Sequence, residues 1–181
     1  MHGLLTTFGL AIAIARYDGQ PVRDDAWVFA QIEEANRLFA TAGVDFRWTA
    51  EGPLSEKYAE MHSRADRDAL AAQVMGRGTI PIFIVKSLED VDEPGRPRMG
   101  VCWKKSYLIV AAHARPTVLA HELGHFFGNP HSQVDDNLMS YSRTGAEVFL
   151  DEAQLIRIRS SAKRFFESGF LLDPGPARLF P

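Results

Sequence analysis

The chain has 181 residues, of which 46% are apolar and 24% charged, with a formal net charge of −3. That is enough for one domain with one sizeable core, and it excludes a disordered chain. The single cysteine, Cys102, excludes an intrachain disulfide, and the absence of a dense Lys/Arg cluster argues against a nucleic-acid partner.

The longest apolar stretch, 4–15, is broken by Thr6 and Thr7 and falls short of the roughly 20 residues of a membrane span. Its ending, Ala13-Ile14-Ala15, has the small-x-small form of a signal peptide, but no Lys or Arg precedes it. Leu10, Ile12 and Ile14 alternate with smaller residues, which predicts a buried first strand over 8–15. A helix is expected over 24–42, where Val28, Ile32, Ala35, Phe39 and Ala42 form one stripe and Gly43 stops it. Strand 44–49 follows, with Val44, Phe46 and Trp48 alternating with Asp45, Arg47 and Thr49. The stretch 55–75 reads as polar and partly helical, with Arg64, Asp66, Arg67 and Asp68 on an exposed charged face. Strand 80–85 carries Pro81 near its start, where a missing donor is tolerated. After a charged loop at 90–97, two short strands are predicted at 99–104 and 107–112. A helix begins near Pro116 and ends before Gly128; 129–144 is irregular. The last helix opens at Asp151 with Gln154 completing a capping box, and buries Leu155, Ile158, Ala162 and Phe165. Asp173-Pro174-Gly175-Pro176 cannot continue it and reads as an extended surface tail. The alternation of strands and helices predicts an α/β layer arrangement.

The informative segment is His121-Glu122-Leu123-Gly124-His125-Phe126-Phe127-Gly128-Asn129-Pro130-His131, an H-E-x-x-H-x-x-G-x-x-H pattern. His121 and His125 are four apart, so a helix projects both imidazoles from one face. Gly128 can turn the chain in a left-handed conformation and return His131 to the same ion. Three nitrogen ligands suit zinc and leave a fourth position for water, which marks a catalytic rather than a structural site. Glu122 is placed to take a proton from that water and return it to a leaving amine, so the expected chemistry is peptide hydrolysis.

This segment resembles the zinc signature of the metzincin clan of metalloendopeptidases. Asn137-Leu138-Met139-Ser140-Tyr141 is similar to the clan's Met-turn, which implies Met139 as an apolar floor beneath the metal. By resemblance to the astacin-like and serralysin-like branches, Tyr141 would ligate zinc or donate to the oxyanion, against the alternative of a packing role in the turn. Met99-Gly100-Val101-Cys102-Trp103 resembles the edge strand of the pappalysin-like branch, which implies an extended protein or peptide substrate along Gly100 to Trp103. Ser140, Ser142 and Arg143 would then border the pocket after the scissile bond. The implied fold is a zincin-type catalytic domain. It has a twisted, mixed five-stranded sheet with an antiparallel edge strand, packed helices, an active-site helix and a short C-terminal subdomain with a helix. It would be one domain over 1–173, upper subdomain to about 128 and lower from about 129, with a tail at 174–181, acting as an exported monomer.

Other readings stand beside this one. A zincin-fold peptide-binding module without catalysis would not need Glu122, and a zinc-dependent amide hydrolase with a non-protein substrate would not exploit an edge strand. Asp135, Asp136 and Asn137 could offer oxygen to calcium, or form a solvated turn. Cys102 reads as a small buried or edge residue, with a regulatory zinc contact as the lesser reading.

Overall fold

The computed structural model describes residues 6–175, so the first residues of the leading apolar stretch and positions 176–181 of the expected tail lie outside the described residues. The elements run β1 (Thr6–Tyr17), β2 (Gln20–Pro21), α1 (Asp25–Phe39), β3 (Val44–Leu54), β4 (Glu60–Met61), α2 (Arg64–Ala69), β5 (Ile80–Val85), β6 (Ser87–Leu88), β7 (Gly100–Trp103), β8 (Tyr107–Ala111), α3 (Val118–Phe126) and α4 (Glu152–Glu167).

β1 pairs in parallel with both β3 and β5; β8 extends the sheet in parallel from β5, and β7 closes the edge antiparallel to β8. This is the expected mixed α/β sheet with its antiparallel edge strand. β2, two residues hydrogen-bonded to the end of β1, adds a sixth strand. Every residue of β5 is buried, as befits an interior parallel strand covered on both faces. β3 keeps the predicted alternation but runs five residues past Thr49 to Leu54. Thr49 is the extra residue of a bulge, because Leu10 pairs with Trp48 and Ala11 with Ala50. Its Oγ1 donates to Leu10 O at 3.2 Å, so the bulged residue still has a partner.

One face of the sheet packs under α1, α3 and α4 through Phe8, Leu10, Ile12, Ile82, Leu108 and Val110. The other face is covered by the β3–β5 connection, through Tyr58, Met61 and Leu70 on Phe83, Ile109 and Tyr107. α1 is capped by Asp24, which accepts from Trp27 N at 2.9 Å. It ends three residues before the expected stop, giving way to a single 3₁₀ turn (Ala40–Ala42) before Gly43 at φ 72°. α4 has the predicted capping box: Asp151 accepts from Gln154 N, and Gln154 Oε1 accepts from Asp151 N, both at 2.9 Å.

The charged face expected on α2 is corrected at Arg67, which is buried. Its guanidinium stacks over the Trp103 ring at 4.9 Å and donates to Glu89 O. An arginine buries readily where a carbonyl and an aromatic face receive it. Asp68 is also engaged, accepting from Trp103 Nε1 at 2.7 Å and Lys104 Nζ at 2.6 Å. α2 therefore braces the β7–β8 hairpin rather than presenting an idle polar face.

Candidate active site

α3 carries the motif and is buried along almost its whole length. Thr117 gives it no side-chain cap. Gln31 of α1 compensates: its Oε1 accepts from Leu119 N at 3.2 Å while its Nε2 donates to Arg115 O at 3.0 Å. At the other end Gly128 takes φ 96°, with Gly128 N donating to His125 O and Asn129 N to Gly124 O, each at 2.9 Å. That turn sends the chain back so that His131 meets the helix.

The three imidazoles converge. His125 Nε2 lies 3.1 Å from His121 Nε2 and 3.0 Å from His131 Nε2. Among the described residues these three form a group able to hold a metal ion. His121 Nδ1 faces Leu138 O at 2.7 Å, and His125 Nδ1 faces Asn129 O at 2.8 Å. A carbonyl only accepts, so the proton sits on Nδ1 and the Nε2 lone pair is left pointing inward. Burial pushes His121 down to about 4 and lowers His125 and His131 as well, which keeps the rings neutral. Zinc at its usual ~2.0–2.1 Å bonds places tetrahedral nitrogens about 3.4 Å apart, within a few tenths of the two spacings at His125, and all three ligand atoms lie within 4.8 Å of one another. The donor set therefore fits a zinc ion held by His121, His125 and His131.

Glu122 is buried and leans away from the helix toward β7, where the Cys102 amide donates to its carboxyl. Burial pushes this carboxyl up to about 8. Gly100 makes the room: a Cβ there would sit 2.8 Å from Glu122 Oε1 and 2.7 Å from Val118 Cγ1. Gly100→Ala is therefore expected to destabilise the chain by about 1–3 kcal/mol through overpacking, measured as a lower urea midpoint. An unchanged midpoint would show that α3 and β7 can separate freely.

Tyr141 is 69% exposed, and its ring centre lies 5.7 Å from that of His121 and 4.7 Å from that of His131. Its hydroxyl lies 2.8 Å from His131 Nε2 and 3.5 Å from Arg98 Nη1. Arg98 is held by a two-pronged pairing with Asp90, with Nε at 2.7 Å from Oδ2. The Asp92 amide and Arg98 together hold the Asp90 carboxyl down at about 2.

Beneath the histidines, Met139 is fully buried against Gly124. Any Cβ at Gly124 would penetrate the Met139 sulfur, which explains a glycine inside a helix despite its poor propensity. The Met139 amide donates to Asn137 Oδ1 at 2.9 Å, and Asn137 is clasped at 2.9 Å in both directions by Gln154. Arg143 Nη1 donates to Ser140 O at 2.7 Å and Asn137 O at 3.0 Å; its Nη2 donates to Leu138 O, the same carbonyl that orients His121. Asn137 thus works as a turn brace, and the Asp136 carboxylate accepts from Thr144 N and Oγ1. Those oxygens already serve hydrogen-bond donors. Burial pushes the Cys102 thiol up to about 12, and its sulfur is not among the metal-binding group.

Gln31 is a positioning residue that the sequence pattern does not reveal; Gly100, Gly124 and Gln154 are visible in it, but not for the contacts they make at the site. Asn129 follows Gly128 in the motif. It is buried, and among the described residues its carboxamide makes no hydrogen bond.

Two cavities flank the histidine cluster and share Arg98, Gly100, Glu122, His131 and Tyr141. One, of about 430 Å³, runs past Asn129 and Lys105; the other, of about 640 Å³, runs past Arg115 and Arg143. Together they form one cleft along β7.

No protein-family model and no curated protein matches the chain. Solved structures do. Mature mirolysin of Tannerella forsythia in complex with a cleaved peptide superimposes with a TM-score of 0.66 at 11% identity, over 92% of this chain and 98% of that one. Archaemetzincin from Methanopyrus kandleri gives 0.60 at 18% identity, over 88% and 97% of the two chains. Metalloproteinase-II from Bacteroides fragilis gives 0.57 at 13% identity, over 87% of this chain and 53% of that one. The chain therefore shares the fold of these solved metalloproteinase structures.

Proposed function

We propose that the chain is a zinc-dependent endopeptidase. The observation that carries this is the convergence of three inward-facing Nε2 atoms beside a buried carboxyl group, at the head of an open cleft. His121, His125 and His131 would hold the ion, which when bound polarises a carbonyl and acidifies water. Glu122 takes the proton of the attacking water on its carboxylate and delivers it to the leaving amine nitrogen. Tyr141 Oη donates toward the oxygen that gains negative charge, with the Arg98 guanidinium beside it. Met139 closes the floor of the site as the Met-turn methionine.

The substrate lies extended along β7. That strand pairs with β8 on one edge and ends the sheet on the other, so its outward amides and carbonyls, the Cys102 amide apart, can add a peptide strand. A cleaved peptide in the mirolysin structure supports the same reading for this cleft.

The test begins with metal analysis of the purified chain, then maps cuts in a proteome-derived peptide library by mass spectrometry. The expected result is one zinc per chain and internal cuts that stop with 1,10-phenanthroline and return on adding zinc. His131→Ala is expected to lose both metal and activity. A zinc-loaded chain that cuts nothing in the library would refute the proposal.

A further inference from the structure

Charge is unevenly divided across this molecule. The chain as a whole is acidic at −3, yet the larger cavity beside the histidines is lined by four arginines, Arg96, Arg98, Arg115 and Arg143, against one carboxyl group, Glu122. Two of these guanidinium groups already have carboxylate partners, Arg96 with Glu93 at 2.7 Å and Arg98 with Asp90. The other two do not. Among the described residues the Arg143 side chain donates to backbone carbonyls of residues 137–142 and forms no ion pair, Asp136 acting on it only at longer range. Arg115 is exposed, and its side chain makes no hydrogen bond or ion pair among the described residues.

These two cations feel each other. Burial lowers the pKa of the Arg143 guanidinium; Asp136 opposes that shift and the charge of Arg115 adds to it. Two guanidinium groups that line one cavity, neither in an ion pair among the described residues, are relieved by a bound anion. Planar forks of N–H donors suit a carboxylate above other anions of peptide origin. The same cavity is lined by His121, Glu122 and His131, so its occupant adjoins the reacting bond.

We propose that this cavity is a carboxylate-binding subsite, so that the chain cuts peptides beside an acidic residue. Arg143, tied to the turn after Met139, is the fixed wall. Arg115 is the adjustable partner at the rim. The inference rests on the peptidase reading and names its substrate class. The carboxylate has two sources, an Asp or Glu side chain or a peptide's free C-terminus, and the test separates them.

Quenched fluorescent peptides are built around one cut mapped in the library, varied to Glu, Gln or Lys at each residue flanking the bond and amidated at the C-terminus. A further peptide carries Gln and a free C-terminal carboxylate directly after the flanking residue. For the zinc-loaded chain, kcat/KM is expected to be at least about tenfold higher for Glu than for Gln, with Lys lowest. Arg115→Glu, at an exposed position without partners, is expected to reverse the order of Glu and Lys. A preference confined to the free-carboxylate peptide keeps the subsite and assigns it to chain ends. Equal rates for Glu, Gln and Lys would overturn the subsite and leave the peptidase reading standing. Failure to cut any of these peptides would overturn both.

Discussion

Glu122→Ala is expected to leave zinc uptake intact and to cut peptide hydrolysis by about 10²–10⁴-fold, the usual contribution of a positioned general base and acid. The separation of the two effects follows from the geometry. Among the described residues the group able to hold a metal is His121, His125 and His131, and Leu138 O and Asn129 O orient the first two. Glu122 is outside that group and accepts from the Cys102 amide, so its removal is expected to leave the nitrogen cluster in place. The carboxyl is raised to about 8 by burial, and a cation on the neighbouring imidazoles draws it back toward the carboxylate form. With zinc bound, that tuning would leave the proposed base poised near neutral pH, where proton transfer is most effective. Glu122→Gln keeps the shape and the acceptor for Cys102 but cannot take a proton, and should be as inactive as the alanine variant. Metal analysis and initial rates on one cleavable peptide decide the matter. Activity of the glutamine variant within about tenfold of the parent would remove Glu122 from the chemistry.

The contrast between this motif and its supports shows which information is local in the sequence. Eleven consecutive residues, His121 to His131, contain the three ligands, the carboxyl group and the glycine that returns the chain, so helical periodicity and one turn suffice to assemble them. The strands β1, β3, β5, β7 and β8 were legible for a similar reason: alternation or an unbroken apolar run marks each. β2 has two residues and no pattern to read. The supports are a different matter. Gly100 and Glu122 are 22 residues apart, and Gln31 and Leu119 are 88 apart. Nothing near Gly100 in the chain announces that its missing Cβ is the space for a carboxyl group. Arg67 failed for the same reason: charge predicts a solvated face unless one knows that Trp103 and Glu89 wait beside it. Asp136 and Asn137 show a further limit. A cluster of side-chain oxygens does not announce its partners, and the N–H groups of Thr144, Met139 and Gln154 that Asp136 and Asn137 accept from lie up to 17 residues away.

Phe127→Ala is expected to destabilise the chain by about 3–5 kcal/mol, the range for emptying a fully buried aromatic site. Phe127 has no exposed surface, and its ring centre lies 5.7 Å from that of Phe8 on β1, 5.9 Å from Phe39 on α1, 6.0 Å from Phe46 on β3 and 5.6 Å from Phe165 on α4. One side chain therefore joins the sheet to both flanking helices, and no single neighbour can move in to fill the gap. Against a typical total of about 5–15 kcal/mol, that loss is a large share. In a chain of this size it corresponds to a fall of roughly 6–20 °C in Tm. Urea unfolding of the metal-free chain is the proper measurement, because bound zinc would mask part of the loss by mass action. Phe29→Ala serves as the control, since Phe29 is 47% exposed and should lose far less. A deficit for Phe127→Ala below about 1 kcal/mol would mean the cluster repacks and the ring is not the hinge-pin described. The site should register the change too. Phe127 O accepts from Ser161 Oγ at 2.8 Å, and Gly128 follows immediately, so the same packing fixes the turn that brings His131 to His125. Zinc affinity is therefore expected to weaken in Phe127→Ala and to hold in Phe29→Ala, because only the first loosens the third ligand's approach.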